Sequence, residues 1–291
     1  MQHQVLIEPR ELASQLTRKP IVIIDTRSSD EYLRSHLPGA VHVPEIFGHF
    51  ALSSPEGQEE LKAVFSERFS AAGLSGEELA VVYEDAMDNG FGRSCRGYVL
   101  LSYLGYPRIA VLHGGKTAWD AAGLPTTAEV PSPQRALFPF RANSSILATA
   151  DDLLSSLNDP EVVKLDVRQY DEWMGETASP QNVVPCPRKG RIPGAVWLDW
   201  RRLMTRAGGI ARIRPREEVL TICSEVGVHP GSKVILYCLG GVRASNTYVA
   251  LKEAGIEDVK VYLGSWYEWS RDPALPIEEG EPDPRRMAIR A

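Results

Sequence analysis

The chain has 291 residues, enough for two domains of ordinary size, each with its own hydrophobic core. Hydrophobic residues make up 43% of it and charged residues 24%, a composition typical of folded globular proteins. The formal net charge of −6 gives no general attraction for nucleic acid, so we expect no nucleic-acid partner. Met1–Arg10 lacks a leader-like pattern and no long apolar run follows, which predicts a cytoplasmic protein without a membrane partner.

Short β-branched runs alternate with helical patterns along the chain. One helical pattern, Arg243–Ala254, has apolar residues on one face and Gly255 at its end. Such alternation is typical of an α/β fold, in which a mainly parallel sheet is flanked by helices. The predicted strands are Ile21–Ile24, Ala80–Tyr83 and Arg108–Leu112 in the first half, and Val162–Leu165, Lys233–Tyr237 and Val259–Leu263 in the second.

The second half repeats patterns of the first half in the same order. Ile23–Arg27 is echoed by Lys164–Arg168, and His36–Val41 is echoed by Arg191–Val196. Repeats in a constant order indicate a duplicated domain, so we predict two tandem α/β domains. The predicted domains are residues 1–130 and 144–291, joined by a proline-containing linker at residues 131–143.

The loop that follows the predicted strand ending at Tyr237 carries the strongest functional signal. In parallel α/β sheets, functional groups lie at the carboxyl ends of strands, where loops lead into helices. Cys238 begins such a loop, two glycines allow it to turn tightly, and a helix follows at once. The helix N-terminus and the charge of Arg243 would stabilise a Cys238 thiolate, which is a nucleophile. The predicted backbone cradle consists of Leu239, Gly240, Gly241 and Val242.

The first copy of the repeat differs at this loop. Glu84 stands where the second copy has Cys238. Tyr83 and Tyr237 are 154 positions apart, whereas Gly105 and Gly255 are 150 apart, so four extra residues lie in the first copy's loop region. Because the nucleophile is missing there, we expect the N-terminal domain to be catalytically inactive.

These motifs resemble the two-domain rhodanese family, the thiosulfate and 3-mercaptopyruvate sulfurtransferases, over essentially the whole chain. The resemblance implies two tandem rhodanese-like domains, catalysis by the second domain alone, and a persulfide on Cys238. The matching motifs are Asp166–Arg168 with Glu172–Trp173, Gly190–Ala195, the six-residue loop Cys238–Arg243, and Gly264–Trp266 with Glu268–Trp269.

The resemblance also implies roles for other residues. Arg188 would bind the anionic end of the sulfur donor, and Arg191 and Arg243 would be further substrate-binding cations. Cys186 lies near Arg188 in the sequence, but a lone thiol is more commonly incidental, so its participation stays open. The residues expected to brace the loop and sheet are Asp166, Arg168 and Glu172.

The predicted reaction moves a sulfane sulfur from a small anionic donor, through the Cys238 persulfide, to cyanide or to a thiol of a small molecule or protein. The chemistry needs a polarised thiol and anion-binding arginines, so we expect no metal and no organic cofactor. Thiosulfate is the preferred donor, because Arg243 adds a cation that a dianion would use. In the family that this sequence resembles, thiosulfate-type members usually carry basic residues in the loop, and mercaptopyruvate-type members carry a small hydroxyl residue two positions after the cysteine. Gly240 at that position matches neither pattern, so 3-mercaptopyruvate remains an alternative.

The sequence allows two other interpretations of this loop. Cysteine phosphatases also surround a thiolate with an arginine and a backbone cradle, but their loop has one residue more than the four between Cys238 and Arg243. A shorter loop suits one sulfur atom better than a phosphate. In the second interpretation, the protein is a sulfur-relay module, which accepts sulfur from a partner protein and turns over small donors only slowly.

Overall fold

The structure, a computed structural model, describes residues 5–180 and 184–286. Residues 1–4, 181–183 and 287–291 lie outside the described residues. The chain divides into two compact units. The first unit comprises Met1–His49, Glu59–Ser144 and Thr205–Ile213, and the second comprises Phe50–Gln58, Ser145–Met204 and Arg214–Ala291. Each unit thus contains a short segment from the other half of the sequence, and the predicted domain boundaries stay a prediction.

Within the described residues, the first unit contains a five-stranded sheet in the order β1-β5-β4-β2-β3, with parallel pairing throughout. Its strands are β1 (Leu6–Ile7), β2 (Ile21–Asp25), β3 (Val41–His42), β4 (Leu79–Tyr83) and β5 (Ile109–Leu112). Its helices are α1 (Pro9–Gln15), α2 (Ser29–Arg34), α3 (Glu45–Gly48), α5 (Arg93–Tyr103) and α6 (Gly115–Ala121), while α4 (Pro55–Ala71) begins in the segment assigned to the second unit.

The second unit has the same plan. Over its described residues the sheet order is β11-β10-β6-β7, again with parallel pairing. Its strands are β6 (Val162–Asp166), β7 (Val196–Trp197), β10 (Lys233–Tyr237) and β11 (Val259–Val261). Its helices are α7 (Ala150–Ser155), α8 (Tyr170–Trp173), α9 (Arg216–Ser224), α10 (Val242–Glu253) and α11 (Ser265–Trp269), with 3₁₀ turns at Trp200–Leu203 and Pro284–Arg286.

The predicted α/β class with mainly parallel sheets is confirmed. The central strands β2, β4, β6 and β10 lie within a residue or two of their predicted positions, because their apolar residues are buried on both faces. The sequence did not predict the two-residue strands β1, β3 and β7, which are too short to show a period. It also missed a two-stranded sheet formed by β8 (Met204–Ala207) and β9 (Ile210–Ile213).

Large aromatic side chains fill the core of the second unit. Trp173, Trp266 and Trp269 are fully buried there, together with Tyr237 and Tyr262. In the first unit, aliphatic residues, Tyr83 and Trp119 fill the corresponding core. Across residues 5–180 and 184–286, each helix is too short or too polar to cross a membrane.

Candidate active site

The site is built at the carboxyl end of β10, where the strand passes through a four-residue loop into α10. The loop is Cys238–Gly241, and Gly241 adopts a φ of +85°, a left-handed conformation that glycine reaches without strain. In this conformation the amide of Gly241 donates a hydrogen bond to the Cys238 Sγ atom at 3.2 Å. The sulfur therefore lies at the N-terminus of a 12-residue helix, whose partial positive charge favours an anion.

Helix α11 holds the other side of the loop. The amides of Trp266 and Tyr267 donate to the carbonyl oxygens of Cys238 and Leu239, at 3.0 and 2.8 Å. The amide of Cys238 donates to Ser265 Oγ at 3.1 Å, and that hydroxyl donates to the carbonyl oxygen of Tyr262. Ser265 has a φ of +52°, which is uncommon for a residue with a side chain. The surrounding hydrogen bonds hold it in this conformation.

Arg243 forms a buried ion pair instead of facing an open pocket. Its guanidinium donates two hydrogen bonds to the Glu172 carboxylate, at 2.5 and 2.9 Å, and its side chain is 4% exposed. Burial lowers the pKa of Arg243, but the negative charges of Glu172 and Cys238 raise it by more. Burial raises the pKa of Glu172, and Arg243 and Arg168 lower it by more. The pair is therefore charged, and Arg243 acts on Cys238 electrostatically while its donors bind Glu172.

A second buried ion pair braces the sheet beneath the loop. Arg168 donates to both carboxylate oxygens of Asp166, at 2.6 to 3.0 Å, and to the carbonyl oxygen of Gly190 at 2.8 Å. The Arg168 guanidinium also lies over the rings of Tyr237 and Trp266. These contacts fit the supporting role predicted for Asp166, Arg168 and Glu172, which stays a prediction.

The other two predicted substrate-binding arginines are engaged elsewhere. Arg188 donates to the carbonyl oxygens of Trp269, Ser270 and Leu275, and also to that of Asp272. Its guanidinium thus closes the turn after α11.

Arg191 is 1% exposed and pairs with Glu278 at 2.9 Å, with further bonds to the carbonyl oxygens of Trp173 and Gly280. Both arginines make structural contacts in this conformation. Their substrate-binding roles remain predictions, and the contacts give them no support.

The first unit contains the same junction with a different end group. Its β4 ends at Tyr83, and Glu84 follows in the place of Cys238. The amide of Lys116 donates to the Glu84 carbonyl oxygen at 2.9 Å, as that of Trp266 does to Cys238.

The Glu84 carboxylate accepts hydrogen bonds from the amides of Arg93 and Ser94 at the start of α5, and from the Ser94 hydroxyl at 2.7 Å. The Glu84 carboxyl group therefore uses the amide donors at the start of α5 in this copy.

The four cysteines lie in different environments. Burial and the charge of Glu84 raise the pKa of the Cys95 thiol well above its ordinary value. Burial and the charge of Glu225 raise the pKa of the Cys223 thiol to about 12. Both are therefore inert thiols at neutral pH. Cys186 is half-buried, and its Sγ atom lies 4.0 Å from the Arg271 guanidinium.

Three residues near the loop were not singled out individually by sequence reasoning. Ser265 and Glu268 occur in a motif that the family resemblance matched, but without a role. Phe50 lies 188 positions before Cys238, and its ring packs on Gly240. No local pattern links residues so far apart, so only the folded chain brings them together.

Two parallel α/β units, one with a cysteine at the strand–loop–helix junction, define a rhodanese-like protein. The family model described as "Rhodanese-like domain" matches residues 8–122 and 149–272, once in each half. The chain belongs to the two-domain rhodanese family of sulfurtransferases, which confirms the resemblance seen in the sequence.

Curated relatives cover nearly the whole chain. A thiosulfate sulfurtransferase of Pseudomonas aeruginosa is 30% identical over 274 residues, covering 94% of this chain and 97% of its own length. One from Azotobacter vinelandii is 29% identical with the same coverage. A probable 3-mercaptopyruvate sulfurtransferase of Pseudomonas aeruginosa is also 29% identical, covering 95% of this chain and 98% of its own. The relatives thus include both donor types.

Solved structures with a similar fold include those of EanB. A structure of EanB carrying a cysteine persulfide, with ergothioneine, has a TM-score of 0.82 to this chain at 23% identity. It covers 95% of this chain and 71% of the EanB chain. At this level of identity the likeness concerns the fold alone.

Proposed function

We propose that this chain transfers a sulfane sulfur from thiosulfate, through a persulfide on Cys238, to cyanide or a thiol acceptor. The observation that carries the proposal is the hydrogen bond from the Gly241 amide to the Cys238 Sγ atom at the N-terminus of α10. A fixed donor at that place stabilises negative charge on sulfur, both in the thiolate and in a persulfide anion. Leu239, Gly240 and Val242 remain the further predicted amide donors of this cradle.

In the first step the Cys238 thiolate attacks the outer sulfur of thiosulfate. A sulfur–sulfur bond forms, the bond within thiosulfate breaks, and sulfite leaves with the electron pair. In the second step cyanide attacks the outer sulfur of the persulfide, which yields thiocyanate and regenerates the thiolate. A thiol acceptor would instead leave as a persulfide. This is a two-step covalent mechanism in which one cysteine carries the sulfur.

The surrounding charges suit this cycle. The Arg243–Glu172 pair is neutral overall, and Arg243 still interacts with the charge on Cys238. Because a paired arginine keeps its geometry when the sulfur gains or loses charge, the site needs little reorganisation between steps. The pair therefore acts on the sulfur electrostatically, whereas thiosulfate contacts would come from the loop amides.

The choice of thiosulfate depends on the relatives. Thiosulfate sulfurtransferases are among those that match almost the whole chain. Gly240 does not separate the two donors, because it matches the loop pattern of neither type. Because Arg243 pairs with Glu172, it is not a free cation that would select a dianion. 3-Mercaptopyruvate is therefore the competing donor.

The test is persulfide formation followed by mass spectrometry of the intact chain. Thiosulfate should add one sulfur atom to the wild type and none to Cys238→Ser, while Cys223→Ser, in which an inert thiol is removed, should behave as the wild type. An adduct that persists in Cys238→Ser would overturn the assignment. Faster persulfide formation with 3-mercaptopyruvate than with thiosulfate would identify 3-mercaptopyruvate as the donor. Persulfide formation only with a persulfidated protein would favour the sulfur-relay hypothesis.

A further inference from the structure

An aromatic side chain lies directly on the candidate catalytic loop. A Cβ atom placed on Gly240 would be 2.8 Å from ring carbon Cε1 of Phe50, closer than real side chains approach. The ring of Phe50 therefore packs against the Gly240 backbone, two residues after Cys238. Gly240 has no left-handed φ, so its lack of a side chain serves this close approach.

Phe50 lies between the loop and solvent. Phe50 is 42% exposed, whereas Cys238, two residues before the Gly240 that the ring contacts, is 1% exposed. The Phe50 ring also contacts the ring of Tyr267, with centroids 4.5 Å apart. The Tyr267 amide in turn donates to the carbonyl oxygen of Leu239, so this aromatic pair is fixed to the loop.

The segment that carries Phe50 is anchored by hydrogen bonds. The amide and hydroxyl of Ser53 both donate to the Glu268 carboxylate, at 2.9 and 3.0 Å. The Ala150 amide donates to the Ser53 hydroxyl at 3.0 Å, and the Gln58 side chain donates to the Ser53 carbonyl oxygen at 2.9 Å. These bonds span residues 50–58, α7 and α11, so the position of Phe50 is built into the second unit.

From this geometry we infer that Phe50 determines acceptor specificity by covering the Cys238 loop. The inference rests on the proposed function, because it concerns the step in which an acceptor attacks the Cys238 persulfide. A small linear acceptor such as cyanide reaches the outer sulfur past the ring. A bulky thiol such as the tripeptide glutathione must displace the ring, and that displacement opposes the Ser53–Glu268 anchor.

The test compares two acceptors in the second half-reaction, starting from enzyme already converted to the persulfide. We expect Phe50→Ala to raise kcat/KM for glutathione relative to cyanide about tenfold, the scale of a single side-chain contact in a specificity pocket. The rate with cyanide should change far less. Phe50→Tyr retains the ring, so its ratio of glutathione to cyanide kcat/KM should stay close to that of the wild type.

Two control variants separate this effect from general loosening. Leu52→Ala removes a side chain of similar exposure, 43%, from the same segment, and Phe140→Ala removes an exposed phenylalanine of the first unit. Neither should alter the ratio of the two acceptors. An equal ratio in Phe50→Ala and the wild type, with persulfide formed normally, would overturn the inference alone. Failure of the wild type to form a persulfide with any donor would overturn the proposed function and the inference with it.

Discussion

The two copies of the domain differ in the single residue that follows their central strand. The second unit has Cys238 facing the Gly241 amide, whereas the first has Glu84 held by the amides of Arg93 and Ser94. Each junction therefore presents amide donors to the side chain that follows the strand. Under the proposed function the first copy would be inactive, because its own carboxyl group takes the place of the sulfur.

The buried Glu84 carboxyl group should make the folding stability of the protein depend on pH. Burial raises its pKa from 4.5 to about 7, while hydrogen bonds from Ser94 and Arg93 lower it only in part. Since the folded pKa exceeds the unfolded one, the stabilising contribution is complete below pH 4.5 and is lost as the pH rises through 7. The loss amounts to about 3 kcal/mol.

We therefore expect Glu84→Gln to become more stable relative to the wild type as the pH rises from 5 to 8. Urea unfolding at several pH values measures the difference. Glu129→Gln, at an exposed glutamate, is the matched control and should show no such trend. A constant difference between Glu84→Gln and the wild type would contradict the burial argument.

At the level of elements, the site depends on how β10, α10 and α11 meet. The loop turns because Gly241 takes a left-handed φ, and α11 begins with Ser265 in the same region of backbone space. Gly241 also packs closely, since a Cβ atom there would lie 2.7 Å from Leu263 Cδ2. The left-handed φ of Gly241 and the close packing against Leu263 hold the Gly241 amide toward the sulfur.

We expect Gly241→Ala to lower the free energy of unfolding by about 1–3 kcal/mol and to slow persulfide formation. Gly231→Ala is a matched control, because Gly231 also has a positive φ, +95°, but no atom lies within 4 Å of its would-be Cβ. Urea denaturation and the rate of persulfide formation should both be affected more by Gly241→Ala. Equal effects of the two variants would mean that crowding by Leu263 is unimportant.

At the level of the whole molecule, each compact unit contains a segment from the other half of the sequence. Residues 50–58 follow the short helix α3, and residues 205–213 follow the 3₁₀ turn Trp200–Leu203, so the two segments occupy equivalent places in the repeat. The first segment brings Phe50 to Gly240. The second brings Ile210 to Gly114. Each compact unit therefore packs a segment from the other half of the sequence against one of its own loops.

This arrangement predicts the behaviour of an isolated second half. A fragment of residues 144–291 lacks Phe50 and Ser53, so Cys238 should be alkylated by iodoacetamide several times faster than in the full chain. Both proteins would carry Cys186→Ser to remove the half-buried thiol. Cys223, which is fully buried, reports whether the fragment is folded, because it should stay protected. Equal rates at Cys238 with a protected Cys223 would show that the segment does not cover the loop.

The sequence by itself determined the duplicated α/β fold, the strand–loop–helix junction and the difference between Cys238 and Glu84. These features follow from local patterns: apolar runs of strand length, glycines at turns, and one residue type in place of another. Only the tertiary structure decided the partners of the charged and aromatic groups. Arg243 pairs with Glu172, 71 positions away, and Arg191 pairs with Glu278, 87 positions away.

The physical reason is that a charge withdrawn from solvent must find hydrogen-bond acceptors or a counter-charge wherever the fold supplies them. Arg188, Arg191 and Arg243 look alike in the sequence as candidates for substrate binding. In the folded chain each is satisfied by carbonyl or carboxylate oxygens distant along the chain. The contact between Phe50 and Gly240 has the same origin, because close packing between distant segments leaves no periodic trace in either of them.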